Sequence, residues 1–298
     1  MKTAIATAAS AIALAALAGP AFAGEPSVEI RNAVARVSVV VEDRADVAVE
    51  VQQGGSNLPR IRVSRHGDAL RVDGGLGGRR SGLFNGGNDG VRRCHSGRAD
   101  GRPGEGAWAE VRDHGRVNLM DAPLIVVRVP RNVDIEASGA IFGSIGRGAR
   151  SVELGHGGCG RWDVANVDGP VSLSIGGSGD IRAGTSRSLE LAIGGSGSVI
   201  AGATRGLDVS VGGSGDVRVA RLDGPMEVAI GGSGDVDVRS GTSPNVEVSI
   251  AGSGDVNFRG VARDVDVSIV GSGDVSVARA TGSVNRAIIG GGDVRIGN

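Results

Sequence analysis

The sequence contains no tyrosine, and aromatic residues make up only 2% of it. A row of ring platforms for sugars or nucleobases is therefore not expected. Lysine is nearly absent: Lys2 is the only one, and arginine carries the remaining positive charge. Once residues 1–23 are set aside, 31 Arg stand against 33 Asp plus Glu, a formal balance of −2. A near-neutral chain offers no basic footprint for nucleic acid, so no nucleic-acid partner is expected. There are only two cysteines, too few for a disulfide-rich scaffold. Long apolar runs are missing as well. Ala4 to Leu17 is short for a bilayer span, and no later stretch approaches that length, so the mature chain is expected to have no transmembrane segment. Helical periodicity is absent too, and 54 glycines would cost helices heavily.

What is present is a repeat. Ile175-Gly-Gly-Ser-Gly-Asp-Ile181, Val211-Gly-Gly-Ser-Gly-Asp-Val217 and Ile230-Gly-Gly-Ser-Gly-Asp-Val236 are its clearest copies. The last glycine of each copy gives a marker series: Gly139, Gly160, Gly179, Gly197, Gly215, Gly234, Gly254, Gly273 and Gly292, spaced 18 to 21 residues apart. A fixed period near 20 signals stacked repeats rather than an ordinary globular domain. Positions eight, six and four before the marker are apolar, as in Leu207, Val209 and Val211, with Asp208 and Ser210 between them. Positions two and four after it are apolar again, as in Val217 and Val219. Each unit is thus two alternating strands around a glycine corner. The expected fold is all-β: a right-handed parallel β-helix with two main strands per coil and an irregular β N-terminal part, in preference to a β-sandwich. Eight intervals at about 4.8 Å give a rod of roughly 38 Å.

Three segments follow. Residues 1–23 read as an export signal, with Lys2, the apolar Ala4–Leu17 stretch and a small-x-small site at Ala21-Phe22-Ala23. Residues 24–130 form an N-terminal β region. Its strands from Val37 to Val72 suit either a solenoid entry or a small sandwich, and Gly/Arg-rich residues 74–118 read as a long, partly disordered loop. Residues 131–298 are the repeat solenoid. In its last unit Arg286 occupies an inward column and Asn285 replaces an acid, a polar cap against end-to-end growth.

Candidate sites are few. Asp180, Asp216, Asp235, Asp255, Asp274 and Asp293 fall in one file directly after the markers. Stacked carboxylates about 4.8 Å apart repel by roughly 1 kcal/mol per pair in water, so something must offset them. Local corner N–H groups are the preferred answer, and a Ca²⁺ ion between coils is the alternative. The calcium-roll pattern Gly-Gly-x-Gly-x-Asp does not fit, because no residue separates the third glycine from the aspartate. The file Glu190, Asp208, Glu227, Glu247 and Asp266 reads as a solvated outer face. Export favours a disulfide between Cys94 and Cys159, closing a loop of 65 residues, over a zinc site with His95 and His156. Acids in uniform rows, with no coil singled out, argue against catalysis. No catalytic residue and no cofactor are assigned.

The registered Ser-Gly-Asp-apolar units at Ser178–Ile181, Ser214–Val217, Ser233–Val236, Ser253–Val256 and Ser272–Val275 resemble the putative auto-transporter adhesin, head GIN domain family, a family of unknown function. The resemblance covers residues 133–296 and, more weakly, the strands from Val28. It implies an exported β-solenoid and carries over no catalytic residue. The expectation is an exported, non-enzymatic protein of the periplasm or cell surface that binds or scaffolds, with a cell-surface glycan or an envelope protein as partner. An envelope polysaccharide enzyme and a calcium-stabilised solenoid are the alternatives.

Overall fold

The computed structural model describes residues 26–77, 90–97 and 104–297. The leader expected over residues 1–23 lies outside the described residues, as do residues 78–89 and 98–103 of the Gly/Arg-rich segment.

The strands in chain order are β1 (Val28–Val41), β2 (Ala48–Gln52), β3 (Arg62–His66), β4 (Ala69–Asp73), β5 (Val91–His95), β6 (Trp108–Val111), β7 (Gly115–Asn118), β8 (Leu124–Val129) and β9 (Asn132–Ile145). The repeat continues with β10 (Ser151–His156), β11 (Cys159–Val164), β12 (Pro170–Ile175), β13 (Asp180–Ala183), β14 (Ser188–Ile193), β15 (Val199–Thr204), β16 (Leu207–Val211) and β17 (Val217–Asp223). It ends with β18 (Met226–Ile230), β19 (Val236–Val238), β20 (Gly241–Ile250), β21 (Val256–Gly271), β22 (Val275–Ala280), β23 (Val284–Gly290) and β24 (Val294–Ile296).

From β10 to β19 the strands pair with the second strand along the chain rather than the next one. One parallel ladder runs β9-β10-β12-β14-β16-β18-β20 and a second runs β9-β11-β13-β15-β17-β19-β21. Pairing of that kind is what a chain makes when it winds as a coil. The result is a β-solenoid of about nine turns with no helix among the described residues. Like positions stack: Leu191 on Val209, Val209 on Val228, Val228 on Val248. All four are buried, because alternation sends every second side chain inward and β-branched residues suit the pleated stack.

Of the two readings left open for the N-terminal strands, the structure has the solenoid entry. β1 lies parallel on β9 through both halves of the coil. Beneath it the next coil is assembled from two separate strands, β4 under the first half and β8 under the second. β3 and β2 then pair antiparallel with β4 and β8, ending the parallel stack. At the other end, Arg286 crosses from β23 to donate to the Val294 carbonyl of β24, 3.2 Å away.

Two expectations are corrected. Much of the 74–118 segment is not loop: β5, β6 and β7 form an antiparallel sheet. Its inner face, Ala109, Val111 and Val117, packs with Leu119 and Ala122 against Val34, Ala140 and Phe142 on the outside of the first coils. The Gly/Arg-rich composition hid this because the small sheet borrows half of its core from the solenoid. The register of the first coils also differs from the marker series. Gly160 stacks on Ile141, and Trp162 stacks on Gly143 rather than on Ile141. A Cβ at Gly143 would run into the Trp162 ring, so the glycine makes room for a fully buried indole.

Candidate functional site

The glycine corners come first, since they carry the aspartate file. Two of the three glycines in each corner are set by close approach of one coil to the next. A methyl on Gly232 would land on the carbonyl oxygen of Gly213, and one on Gly234 on that of Gly215. The first glycine is under no such limit: at Gly231 the nearest atom to an added Cβ is Val211 O at 3.8 Å. Its file accordingly changes to Ala251, Val270 and Ile289 in later coils.

The aspartate follows where the backbone passes from one strand to the other. Each carboxylate but the last accepts a hydrogen bond from the backbone N–H one coil further along, while Asp293, in the final coil, accepts from Val294 N–H of its own turn (2.8 Å). Ser198 donates to Asp180 (3.1 Å), Asp235 to Asp216 (3.3 Å), Asp255 to Asp235 (2.9 Å), Asp274 to Asp255 (2.8 Å) and Asp293 to Asp274 (2.9 Å). The main chain of the same residue is engaged too: the Asp255 carbonyl accepts from Val236 N–H, and that of Asp274 from Val256 N–H. The acceptor therefore serves the neighbouring coil. The expectation of a turn-local bond is corrected for the other five, because the N–H groups that meet them face along the stacking axis rather than back into their own turn. Charge repulsion along the file is further relieved by Arg218 at Asp216 (3.2 Å) and by Arg295, which bridges Asp274 (3.2 Å) and Asp293 (3.1 Å). Among the described residues, no group of three or more His, Cys, Asp or Glu side chains is arranged to hold a metal ion.

The outer acidic file lies in register along the first ladder, with Glu190 beside Asp208, then Glu227, Glu247 and Asp266. These side chains face solvent. Asp264 borders this file and is the most strongly perturbed carboxylate. Hydrogen bonds from Arg263, then from the Ser283 N–H and hydroxyl, lower its pKa to about 2.

Cys94 and Cys159 form a disulfide, with Cα atoms 6.1 Å apart. Cys159 stacks on Ala140 on the outer side of β11, so the bond ties β5 to the coil its sheet covers. With both sulfurs committed, the zinc alternative loses its thiolates.

One cluster was missed by sequence reasoning. His156 occupies the inward file filled by Ile175 and Ile193 in the next two coils, and it is buried. Neither ring nitrogen makes a hydrogen bond of normal geometry. Burial pushes its pKa down to about 4, opposed only weakly by the Ala137 and Cys159 backbone. It borders a shallow groove of about 320 Å³ that includes Glu29, Arg31, Glu136, Ser138 and Ser174. Glu136 stacks beside Glu29 in a file that is Gly, Ser or Ala further along. Arg71 (2.6 Å) and Arg31 (3.5 Å) hold Glu29. The signal available was His156 standing four residues before the marker Gly160, in the column that is isoleucine at Ile175 and Ile193.

Residues 201–298 match the family described as putative auto-transporter adhesin, head GIN domain. The resemblance carried by the Ser-Gly-Asp units is therefore found over the C-terminal third of the chain, on the coils where the glycine and aspartate files are most regular. No curated protein matches the chain. No helix among the described residues is long and apolar enough to cross a membrane.

Proposed function

We propose that this protein is an exported, non-enzymatic β-solenoid that acts at the cell envelope as an adhesin-like binding or scaffolding rod. The observation carrying this reading is the aspartate file. The most regular acids of the chain spend their carboxylates on the next coil's backbone N–H and so serve architecture rather than chemistry. The adhesin description of the matching family supports it, and so do the leader-like residues 1–23 and the Cys94–Cys159 disulfide, which suits an oxidising compartment. The partner class is a cell-surface glycan or an envelope protein. Fractionation of cells carrying a tagged chain is expected to place it in the periplasm or on the surface; a cytoplasmic chain with unpaired cysteines would refute the export reading.

A second reading, an enzyme on envelope polysaccharide, is favoured by one observation. Glu29, Glu136 and His156 border a single groove in the first coils. Incubation with a panel of cell-wall and capsular glycans is expected to give no cleavage. Reproducible cleavage lost in Glu136→Gln would replace the binding reading by the enzymatic one.

A further inference from the structure

The sheet β5-β6-β7 has an outward face that neither the solenoid architecture nor the family description accounts for. Alternation along the strands turns Cys94, Ala109, Val111 and Val117 toward the coils. The opposite face carries two rows across the sheet: Arg93, Glu110 and Arg116 in one, and His95, Trp108 and Asn118 in the other. Trp108 is the only Trp or Phe among the described residues that is not fully buried; Phe142, Trp162 and Phe258 all lie in the interior. In a chain so poor in rings, this one is built into a stack. The Arg116 guanidinium lies 4.1 Å from the Trp108 ring centroid, and the His95 ring stacks against it at 5.7 Å with an interplanar angle of 25°.

A guanidinium held over an indole loses rotational freedom while its in-plane N–H donors stay free. It is thereby pre-set for bidentate contact with an oxyanion. Glu110 lies directly across from Arg116 in register, and its ion-pair contact is with Arg93, at a loose 4.0 Å. The Arg93 side chain is 78% exposed, so most of it faces solvent. Two strand spacings separate Arg93 from Arg116, about 10 Å between their backbones. Two such cations beside an indole, a histidine and Asn118 suit an extended polymer with spaced carboxylates and sugar rings between them. A nucleic acid or a lipid surface calls for a larger basic cluster than this face presents.

We propose that the outward face of β5-β6-β7 binds an acidic, uronate-type polysaccharide, with Arg116 and Arg93 holding its carboxylates, Trp108 fixing the Arg116 guanidinium, and Asn118 against its sugar rings. This assignment rests on the envelope-binding reading and names its ligand class and its site. The disulfide at Cys94, next to His95, would keep the face anchored to the rod while the glycan is held.

The test uses the full chain, with the disulfide checked on a non-reducing gel, and polygalacturonate as the probe beside neutral dextran and anionic phospholipid vesicles. Binding to polygalacturonate, weakened by added salt, is the expected result, with no binding to dextran. Arg116→Gln and Trp108→Ala should each weaken it about tenfold or more, the loss of one charge-assisted contact. Arg116→Lys, which keeps the charge but not the planar fork, should also weaken it. Glu247→Gln, on the solenoid's acidic face, should leave it unchanged and serves as the folding control. Equal binding by the Arg116 and Trp108 variants, or vesicle binding as strong as that to polygalacturonate, would overturn the assignment. A wild-type chain that coats cells yet ignores polygalacturonate would also overturn it while leaving the adhesin reading standing.

Discussion

The coils after Pro170 and the coils before it are built on the same winding but follow different rules. In the later coils each position in the sequence belongs to a file, and neighbours in the file are nearly interchangeable: Val209, Val228 and Val248 inside, Asp235, Asp255 and Asp274 at the corner. In the earlier coils the files are broken. His156 stands for an isoleucine, Trp162 rests on Gly143, Glu136 stands where serine or glycine follows, and Phe142 points outward under a second sheet. The difference separates architecture from attachment. A repeating file has nothing to distinguish one coil from another, so a specific site must sit where the files fail.

The largest expected effect tests how tight the later coils are. Gly234→Ala places a methyl on the Gly215 carbonyl, and since backbone cannot swing aside as a side chain does, the loss should reach about 4 kcal/mol or prevent folding. Gly231→Ala, three residues away, meets only open contact at 3.8 Å and should change stability by less than about 1 kcal/mol. Thermal or urea unfolding of the two variants decides it. Equal effects would mean that coil-to-coil contact does not select these glycines.

The next tests the broken files. His156 has a folded pKa of about 4, below its ordinary 6.5, so the unfolded chain takes up a proton first as pH falls. Stability should therefore be full above about pH 6.5, decline between 6.5 and 4, and level off below 4 as far as this group is concerned. The full loss is about 3 kcal/mol. His156→Ile, which restores the file, should be more stable and should flatten that part of the urea-midpoint profile. A variant with an unchanged slope would show that other groups cause the acid sensitivity.

The smallest effect concerns the corner acids. Asp255→Ala removes the acceptor for Asp274 N–H at an exposed corner and should cost about 1–2 kcal/mol, while Asp255→Asn, which keeps an acceptor oxygen, should cost less. Differential scanning calorimetry of both, with and without Ca²⁺ or chelator, checks this. A large calcium-dependent shift in the wild-type chain, lost in Asp255→Ala, would return the file to the metal reading.

Much of the solenoid was legible before any coordinates. Val152, Leu154, Val171 and Leu173 announce an inward face by alternation alone, and the recurrence of Gly-Ser-Gly-Asp announces stacking. The aspartates were visible as a file and as carboxylates in need of donors. Which donors they meet was not visible, because the bond runs between coils 18 to 20 residues apart. The sheet carrying Trp108 was misjudged for the opposite reason: its strands are short, and their partners Val34, Ala140 and Phe142 lie elsewhere in the chain.

By itself, then, the sequence determined the winding, the two strands per coil and the composition of the files. When a structure stacks at the period of its sequence, local alternation and long-range packing carry the same information. Tertiary structure alone decided where that identity lapses: the register that seats Trp162 on Gly143, the burial of His156, the carboxylates turned toward the next coil, and the indole stacked with His95 and Arg116. Each of these depends on distances between residues that no repeat relates, so only the folded chain brings them together.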